Sequence, residues 1–263
     1  MAPSSTSPAS RRSAPVRALL AAYSVVYWAF FWLSCVVLFL PALAIWLVTA
    51  PFDRRRAVLQ WYTCLWSSVY TWINPLWPLK VRGREKIDRR RTYVIVANHQ
   101  SQVDIAVIFR LRTHFKFVSK AENFRVPFIG WNMRMNNYIP VSRGERDSVV
   151  EMMRRCRDAL NGRNSLIMFP EGTRGLAGEM APFKPGAFEL AKETGNPVLP
   201  VAIKGTGRAL PRRSFFLRGR FPLSLTVLDP IEPDEAPDPP ALAELTRKRI
   251  AEAVGFQATA PSG

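Results

Sequence analysis

The chain has 263 residues, with 37 Lys or Arg against 20 Asp or Glu, and a formal charge of +17. Its 48% hydrophobic share can build a core, which excludes a charge-rich disordered chain. Three widely spaced cysteines (Cys35, Cys64 and Cys156) without a C-x-x-C pair argue against a disulfide framework and a structural zinc site, and only two histidines are left for acid–base work.

Residues 1–17 are rich in Ser, Pro and Ala and read as a flexible basic leader. Between Arg17 and Asp53 lie 35 residues without a formal charge, whereas a bilayer core about 30 Å thick needs only about 20 helical residues. This run predicts a membrane segment. Ala42-Leu43-Ala44 imitates a signal-peptide cleavage site, but the apolar run exceeds the roughly 7–15 residues of a signal h-region. A second uncharged stretch, Ala57 to Leu79, carries Trp61, Tyr62, Trp66, Tyr70, Trp72 and Trp77, the amphipathic rings favoured at lipid headgroups. Residues 18–79 are therefore expected to form a membrane anchor. A two-helix hairpin fits, and so does a monotopic anchor bent at Pro41, Pro51 or Pro75. Arg11, Arg12 and Arg17 compete with Arg54 to Arg56 under the positive-inside rule, so charge alone leaves the orientation open.

From residue 80 to 263 short apolar runs alternate with helical patterns, which predicts an α/β domain with a mostly parallel sheet flanked by helices. Expected strands are Tyr93 to Ala97, Phe115 to Val118, Tyr138 to Val141, Leu166 to Phe169, Val198 to Ile203 and Leu223 to Leu228. Ser148 with Glu151 has capping-box spacing, and Val149, Met153, Cys156 and Leu160 follow at helical intervals. Pro185 and Gly195 bracket a shorter helix, and Leu242, Leu245, Arg249, Ala253 and Val254 predict a last one. The acidic stretch Asp229 to Pro240 reads as a solvated, Pro-rich connector.

Two blocks follow predicted strands, where an open α/β sheet places its ligands. In the first, Asn98-His99-Gln100-Ser101-Gln102-Val103-Asp104, a helix starting near Gln102 would let Asp104 reach back to one imidazole nitrogen of His99. Such a pair makes a general base, typically worth about 10²–10⁴ in rate. The same spacing also suits Asp104 as a plain helix N-cap. In the second, Phe169-Pro170-Glu171-Gly172-Thr173-Arg174, Gly172 permits close backbone approach, Thr173 offers a hydroxyl and an amide, and Arg174 can fork onto phosphate oxygens. Glu171 would repel a phosphate unless it binds a hydroxyl or steadies a neighbouring Arg, and a Pro-Glu-Gly turn accounts for the same letters.

Together with Lys120-Ala121-Glu122, Pro127, Gly130, Arg143 and Val198 to Ile203, these blocks resemble the four-block signature of the glycerolipid acyltransferases, with the bacterial 1-acyl-sn-glycerol-3-phosphate acyltransferases as the nearest likeness. The blocks run in order from Asn98 to Ile203. The resemblance implies a glycerol-3-phosphate acyltransferase-like α/β fold and direct acyl transfer, without cofactor or metal, from acyl-CoA or acyl-carrier protein to the sn-2 hydroxyl of lysophosphatidate. It implies that His99 is the base, that Asp104 orients it, and that Arg143, Lys120 and Glu171 to Arg174 hold the acceptor. It also implies a bacterial inner membrane with the catalytic domain on its cytoplasmic face. The chain departs from the pattern in the second block, where Asn136 stands in place of a glycine and Ser142 in place of an aspartate. Another lyso-lipid acceptor, such as a lyso-ornithine lipid, would use the same His99 and Asp104.

His114 reads as an ordinary surface or turn residue, and the cysteines as small buried hydrophobes. The excess charge clusters at Arg54 to Arg56, at Arg89 to Arg91 and between Lys204 and Arg220, where no acidic residue occurs. These clusters predict attraction to an anionic membrane surface. Nucleic-acid binding is the rival reading of so basic a chain, but no recognisable module supports it and the apolar N-terminal third stays unexplained. A non-catalytic, basic membrane-binding protein is the remaining alternative.

Overall fold

The structure, a computed structural model, describes residues 13–142, 144–175, 179–211 and 214–258. Two helices come first, α1 (Ala14–Thr49) and α2 (Ala57–Trp72). The remainder alternates: β1 (Leu79–Arg82), β2 (Val94–Ala97), α3 (Val103–Ile108), β3 (Lys116–Lys120), α4 (Ile129–Met135), β4 (Ile139–Val141), α5 (Arg146–Asn161), β5 (Leu166–Met168), β6 (Glu179–Met180), α6 (Gly186–Thr194), β7 (Val198–Lys204), α7 (Thr206–Ala209), β8 (Leu223–Val227), α8 (Pro239–Val254) and β9 (Gln257–Ala258).

Seven strands form one sheet in the order β1-β8-β7-β2-β5-β3-β4, and every pairing is parallel except β7 with β8. All six expected strands are present. The central ones are apolar on both faces because helices cover both. On β2, Ile95 and Ala97 pack towards α1, α2 and α3, while Val94 and Val96 pack towards α5, α6 and α8. Phe115 and Phe188 are fully buried, each contributing about 1.5–3 kcal/mol of hydrophobic stabilisation.

Local signals place several ends. Gly195 closes α6 at φ 66°, a left-handed value that costs glycine little. Ser148 behaves differently from its capping-box expectation. Glu145 occupies the N-cap of α5, and the Ser148 hydroxyl lies inside the helix and accepts the Ser142 N–H at 2.8 Å. The connector expected to be solvated is partly core: Ile231 is buried and pairs with Val198, and Ala236 is buried. His114 is half-buried rather than superficial. Its Nε2 bonds Asn164 Oδ1 at 2.9 Å, and burial pushes its pKa down to about 4. The three cysteines are buried and unpaired. Most of the expected leader, residues 1–12, lies outside the described residues, and residues 14–17 belong to α1.

At 1.5 Å per residue, α1 is about 54 Å long. Only 22% of its most apolar 18-residue stretch is buried, unlike the core helix of a soluble protein. Its outer face presents Leu19, Val25, Leu33, Val37, Leu40 and Leu47, which fits membrane association. Its inner face lies against α2 in antiparallel fashion: the Tyr62 hydroxyl donates to Leu38 O at 2.9 Å, and the Tyr70 ring contacts Phe31 at 4.7 Å. α2 is shorter and half of it is buried in protein. Trp66, Tyr70 and Trp77, expected at headgroups, are instead core residues, whereas Trp61 and Trp72 remain exposed.

Polar bonds rivet this hairpin to the sheet. Buried Lys116 Nζ donates to Arg55 O at 2.7 Å and to Asn136 O at 2.8 Å, and burial pushes its pKa down to about 7. Asn136, which departs from the family pattern, donates through Nδ2 to Thr63 Oγ1 on α2 at 3.1 Å. The Tyr138 hydroxyl donates to Gln60 Oε1 at 2.5 Å. The helical hairpin is therefore a packed part of the fold rather than a loose tether.

Gly130 lets α4 pack on the turn before it, since a Cβ there would meet Phe124 O at 2.4 Å and Asn123 O at 2.8 Å. Gly130→Ala should destabilise the protein by about 1–3 kcal/mol, as overpacking does. A lowered thermal midpoint would show it; an unchanged midpoint would mean that this approach is not rigid.

Candidate active site

Because β2 and β5 are parallel neighbours, with Val94 opposite Leu166 and Val96 opposite Met168, their carboxyl ends lie side by side. β2 leads into the His99 turn and β5 into the 169–175 turn, so the topology joins two blocks 72 residues apart. Asn98 closes β2 against β7: its Nδ2 donates to Ile203 O, and its Oδ1 accepts the Ile203 N–H, both at 2.8 Å. This amide continues the strand ladder by one side chain and sets where the chain departs for His99.

α3 begins at Val103, and Asp104 sits in its first turn rather than at the N-cap, which is Gln102. Asp104 Oδ2 lies 2.9 Å from His99 Nδ1 and accepts the N–H groups of Gln100 at 2.6 Å and Ser101 at 2.8 Å. The carboxylate is fully buried and the His99 side chain is 15% exposed. The three contacts converge on one oxygen, at the N-terminal turn of α3. With Nδ1 committed to Asp104, the proton of a neutral imidazole resides on Nδ1, and Nε2 carries the lone pair. No group among the described residues bonds Nε2.

The second turn clasps His99 from the other side. Glu171 Oε1 accepts the His99 N–H at 2.7 Å, Glu171 Oε2 accepts the Ala181 N–H at 3.2 Å, and the Gly175 N–H donates to His99 O at 2.9 Å. Phe169 stacks on the imidazole with centroids 4.1 Å apart and planes 16° apart. Glu171, expected among the groups that hold an acceptor, therefore faces inward and is 6% exposed. Burial pushes its pKa up to about 7; the His99 and Ala181 amides oppose that shift and the Asp104 charge adds to it.

Gly172 adopts φ 71°, and a Cβ there would meet Lys184 Cε at 2.9 Å and Nζ at 3.1 Å. Lys184, just ahead of α6, thus lies over the turn. Thr173 is exposed and Arg174 half-exposed. Lys120 ends β3, next to β5, with its Nζ 3.2 Å from Glu122 Oε1 in an exposed pair. Arg143 lies outside the described residues. The structure thus brings His99, Asp104, Glu171, Gly172, Thr173 and Arg174 to one edge of the sheet, with Lys120 on the adjoining strand. Phe169 was named in its block without a role of its own, and Lys184 was not named at all. Lys184 stands directly before the helix-starting Pro185, and that position beside a glycine-rich block was the available signal. No cluster of metal-ligating side chains occurs among the described residues.

Residues 78–204 match the family model described as Acyltransferase. A 1-acyl-sn-glycerol-3-phosphate acyltransferase of Chlamydomonas reinhardtii is 38% identical over 181 residues, which is 66% of this chain and 54% of that protein. Chloroplastic enzymes of the same name from Brassica napus and Arabidopsis thaliana are 35% and 34% identical, covering 78% and 76% of this chain and 59% and 55% of their own lengths. The chain thus spans a little over half the length of these relatives. The crystal structure of the 1-acyl-sn-glycerophosphate (LPA) acyltransferase from Thermotoga maritima shares the fold, with a TM-score of 0.74 at 24% identity, over 91% of this chain and 96% of that one.

The inward Glu171 has a pH signature. A carboxyl whose pKa is raised on folding stabilises the fold fully below its unfolded value, about 4.3, and loses that contribution as pH rises through about 7. Between pH 5 and 8 the thermal midpoint of the wild type, measured against Glu171→Gln, should therefore fall. A constant difference between the two would place Glu171 in water rather than behind His99.

Proposed function

Residues 78–204 being an acyltransferase-family domain, we propose that this chain transfers an acyl group from a thioester, acyl-CoA or acyl-carrier protein, to the sn-2 hydroxyl of 1-acyl-sn-glycerol 3-phosphate. The observation that carries the reading is the 2.9 Å contact between His99 Nδ1 and Asp104 Oδ2 at the adjoining ends of β2 and β5. In outline, His99 Nε2 takes the proton of the acceptor hydroxyl as its oxygen attacks the thioester carbon. Asp104 holds the tautomer and stabilises the imidazolium that forms. The tetrahedral intermediate collapses, the C–S bond breaks, and the departing sulfur takes the proton from His99, leaving ester and free thiol. A thioester is already activated, so the protein has only to position the alcohol and deprotonate it; no acyl-enzyme is required.

Arg174 and Lys184, with Arg143 and Lys120, supply the cationic set that would hold the acceptor phosphate, and Gly172 and Thr173 lend the close backbone approach. Glu171 acts on the acceptor only indirectly, by holding the His99 backbone. The domain division that follows is an anchor over residues 18–79, preceded by a basic leader, and an acyltransferase domain over 80–263. The site edge is placed on the cytoplasmic face of a bacterial inner membrane, where charged, water-soluble acyl thioesters can reach it. The partners are then a lyso-lipid, the acyl donor and an anionic lipid surface, with no nucleic acid.

Purified protein with lysophosphatidate and acyl-CoA should give phosphatidate and free thiol, followed by mass and thiol release. His99→Ala should lower turnover by at least about 100-fold with the fold intact; a folded variant with full turnover would remove His99 as base. Arg174→Ala and Lys184→Ala should each raise the acceptor KM roughly tenfold with a smaller change in kcat. An unchanged KM in both variants would move the phosphate elsewhere.

A further inference from the structure

Phe215 is 71% exposed and Phe216 58% exposed, adjacent aromatic side chains in the basic segment before β8. Large apolar rings are rarely left in water side by side without a partner surface. The segment that carries them is held in place. The Trp28 indole N–H donates to Phe215 O at 2.7 Å, the two rings meet edge to face at 6.5 Å, and the Leu217 N–H donates to Ser24 Oγ at 2.9 Å. Leu217 itself is buried, and the Phe221 N–H bonds Leu76 O. Both phenylalanines are thus fixed beside α1, whose exposed Val25 and Trp32 lie within about one helical turn of Trp28 on the near side.

Charge flanks the pair along the chain. Arg208, Arg218 and Arg220 are exposed, none is in an ion pair among the described residues, and no acidic residue occurs between Lys204 and Arg220. Exposed rings in a segment with cations and no acidic residue match the layering of an anionic leaflet, apolar inside and negatively charged at its surface.

The segment also reaches the catalytic turn. The Arg218 N–H lies 3.4 Å from Ala209 O, and the next carbonyl, that of Leu210, accepts the Ser101 hydroxyl at 2.7 Å. Ser101 in turn gives its N–H to the Asp104 carboxylate that holds His99. Arg218 is two residues from Phe216, a span of at most about 7 Å.

We infer that Phe215 and Phe216 form a second membrane contact, a wedge into an anionic phospholipid leaflet beside α1, and that this contact sets the catalytic turn at the lipid surface so that a lyso-lipid acceptor passes to His99 without crossing water. The membrane contact stands independently of the proposed function; the passage of the acceptor rests on it. The wedge fixes depth through the rings and recruits headgroups through the arginines.

The full chain carrying Phe216→Cys, labelled there with an environment-sensitive fluorophore, tests the contact, since the native cysteines are buried. On phosphatidylcholine vesicles containing phosphatidylglycerol, the emission should shift to the blue and be quenched by a lipid-borne quencher. A label at Lys248→Cys, on α8 across the sheet, should report water throughout. Water-like emission at position 216 on vesicle-bound protein would overturn the wedge. For the acceptor route, the double variant Phe215→Ser/Phe216→Ser should lower the rate on vesicle-borne lysophosphatidate, relative to that on a short-chain soluble acceptor, by about fivefold or more. Equal losses on both acceptors, or none, would overturn the route. Absence of transfer by the wild type to either acceptor would sink the proposed function instead, and the fluorescence would still decide the contact.

Discussion

A buried carboxylate that accepts three hydrogen bonds on one oxygen organises this molecule. Asp104 Oδ2 holds the His99 ring and, through the Gln100 and Ser101 amides, the backbone on which that ring is carried. The three contacts partly offset the burial of this carboxyl, and removing any one would leave Oδ2 less well satisfied. The carboxylate thus fixes both the tautomer and the loop geometry at once. On the far side, Glu171 and Gly175 engage the amide and carbonyl of the same histidine, and Phe169 sets the plane of its ring. Little freedom is left to the imidazole except for proton exchange at Nε2.

Two carboxylates around one histidine differ because their surroundings differ. Asp104 has the first turn of α3 and three donors. Glu171 accepts two amides, and its burial pushes its pKa up to about 7. A neutral Glu171 can keep its bond to the His99 amide without adding a second negative charge beneath the site. Arg174, half-exposed on the same turn, and Lys184, packed over it at Gly172, are the cations proposed to hold an anionic acceptor.

The apolar hairpin belongs to the same mechanical unit. Its buried bonds tie α2 and the Arg55 turn to Lys116 on β3 and to Asn136 and Tyr138 before β4, and β3 pairs with β5. On the proposed function, this rigidity would set the distance between the bilayer and His99 by folding rather than by a linker.

Much was legible in the sequence. The uncharged run predicted α1, since hydropathy over some 20 residues is a local property, and six apolar β-branched runs predicted six strands of the sheet. The His99 and Glu171 blocks were visible because both follow strands and their residue types suit acyl transfer. What local pattern could not decide was which partner each side chain meets. Glu171 finds the His99 amide 72 residues away and so turns inward; Trp66, Tyr70 and Trp77 find α1 and the core and so leave the headgroups; Ser148 finds the Ser142 amide and so gives up the cap. Periodicity records which face of an element is apolar, whereas the burial that shifts a carboxyl or hides a tryptophan comes from neighbours distant in the chain. Composition and spacing alone determined the kinds of groups present and the elements that carry them. The packing of β2 against β5, and of α1 against the sheet, decided which of those groups touch, because desolvation and hydrogen bonding depend on contact in space.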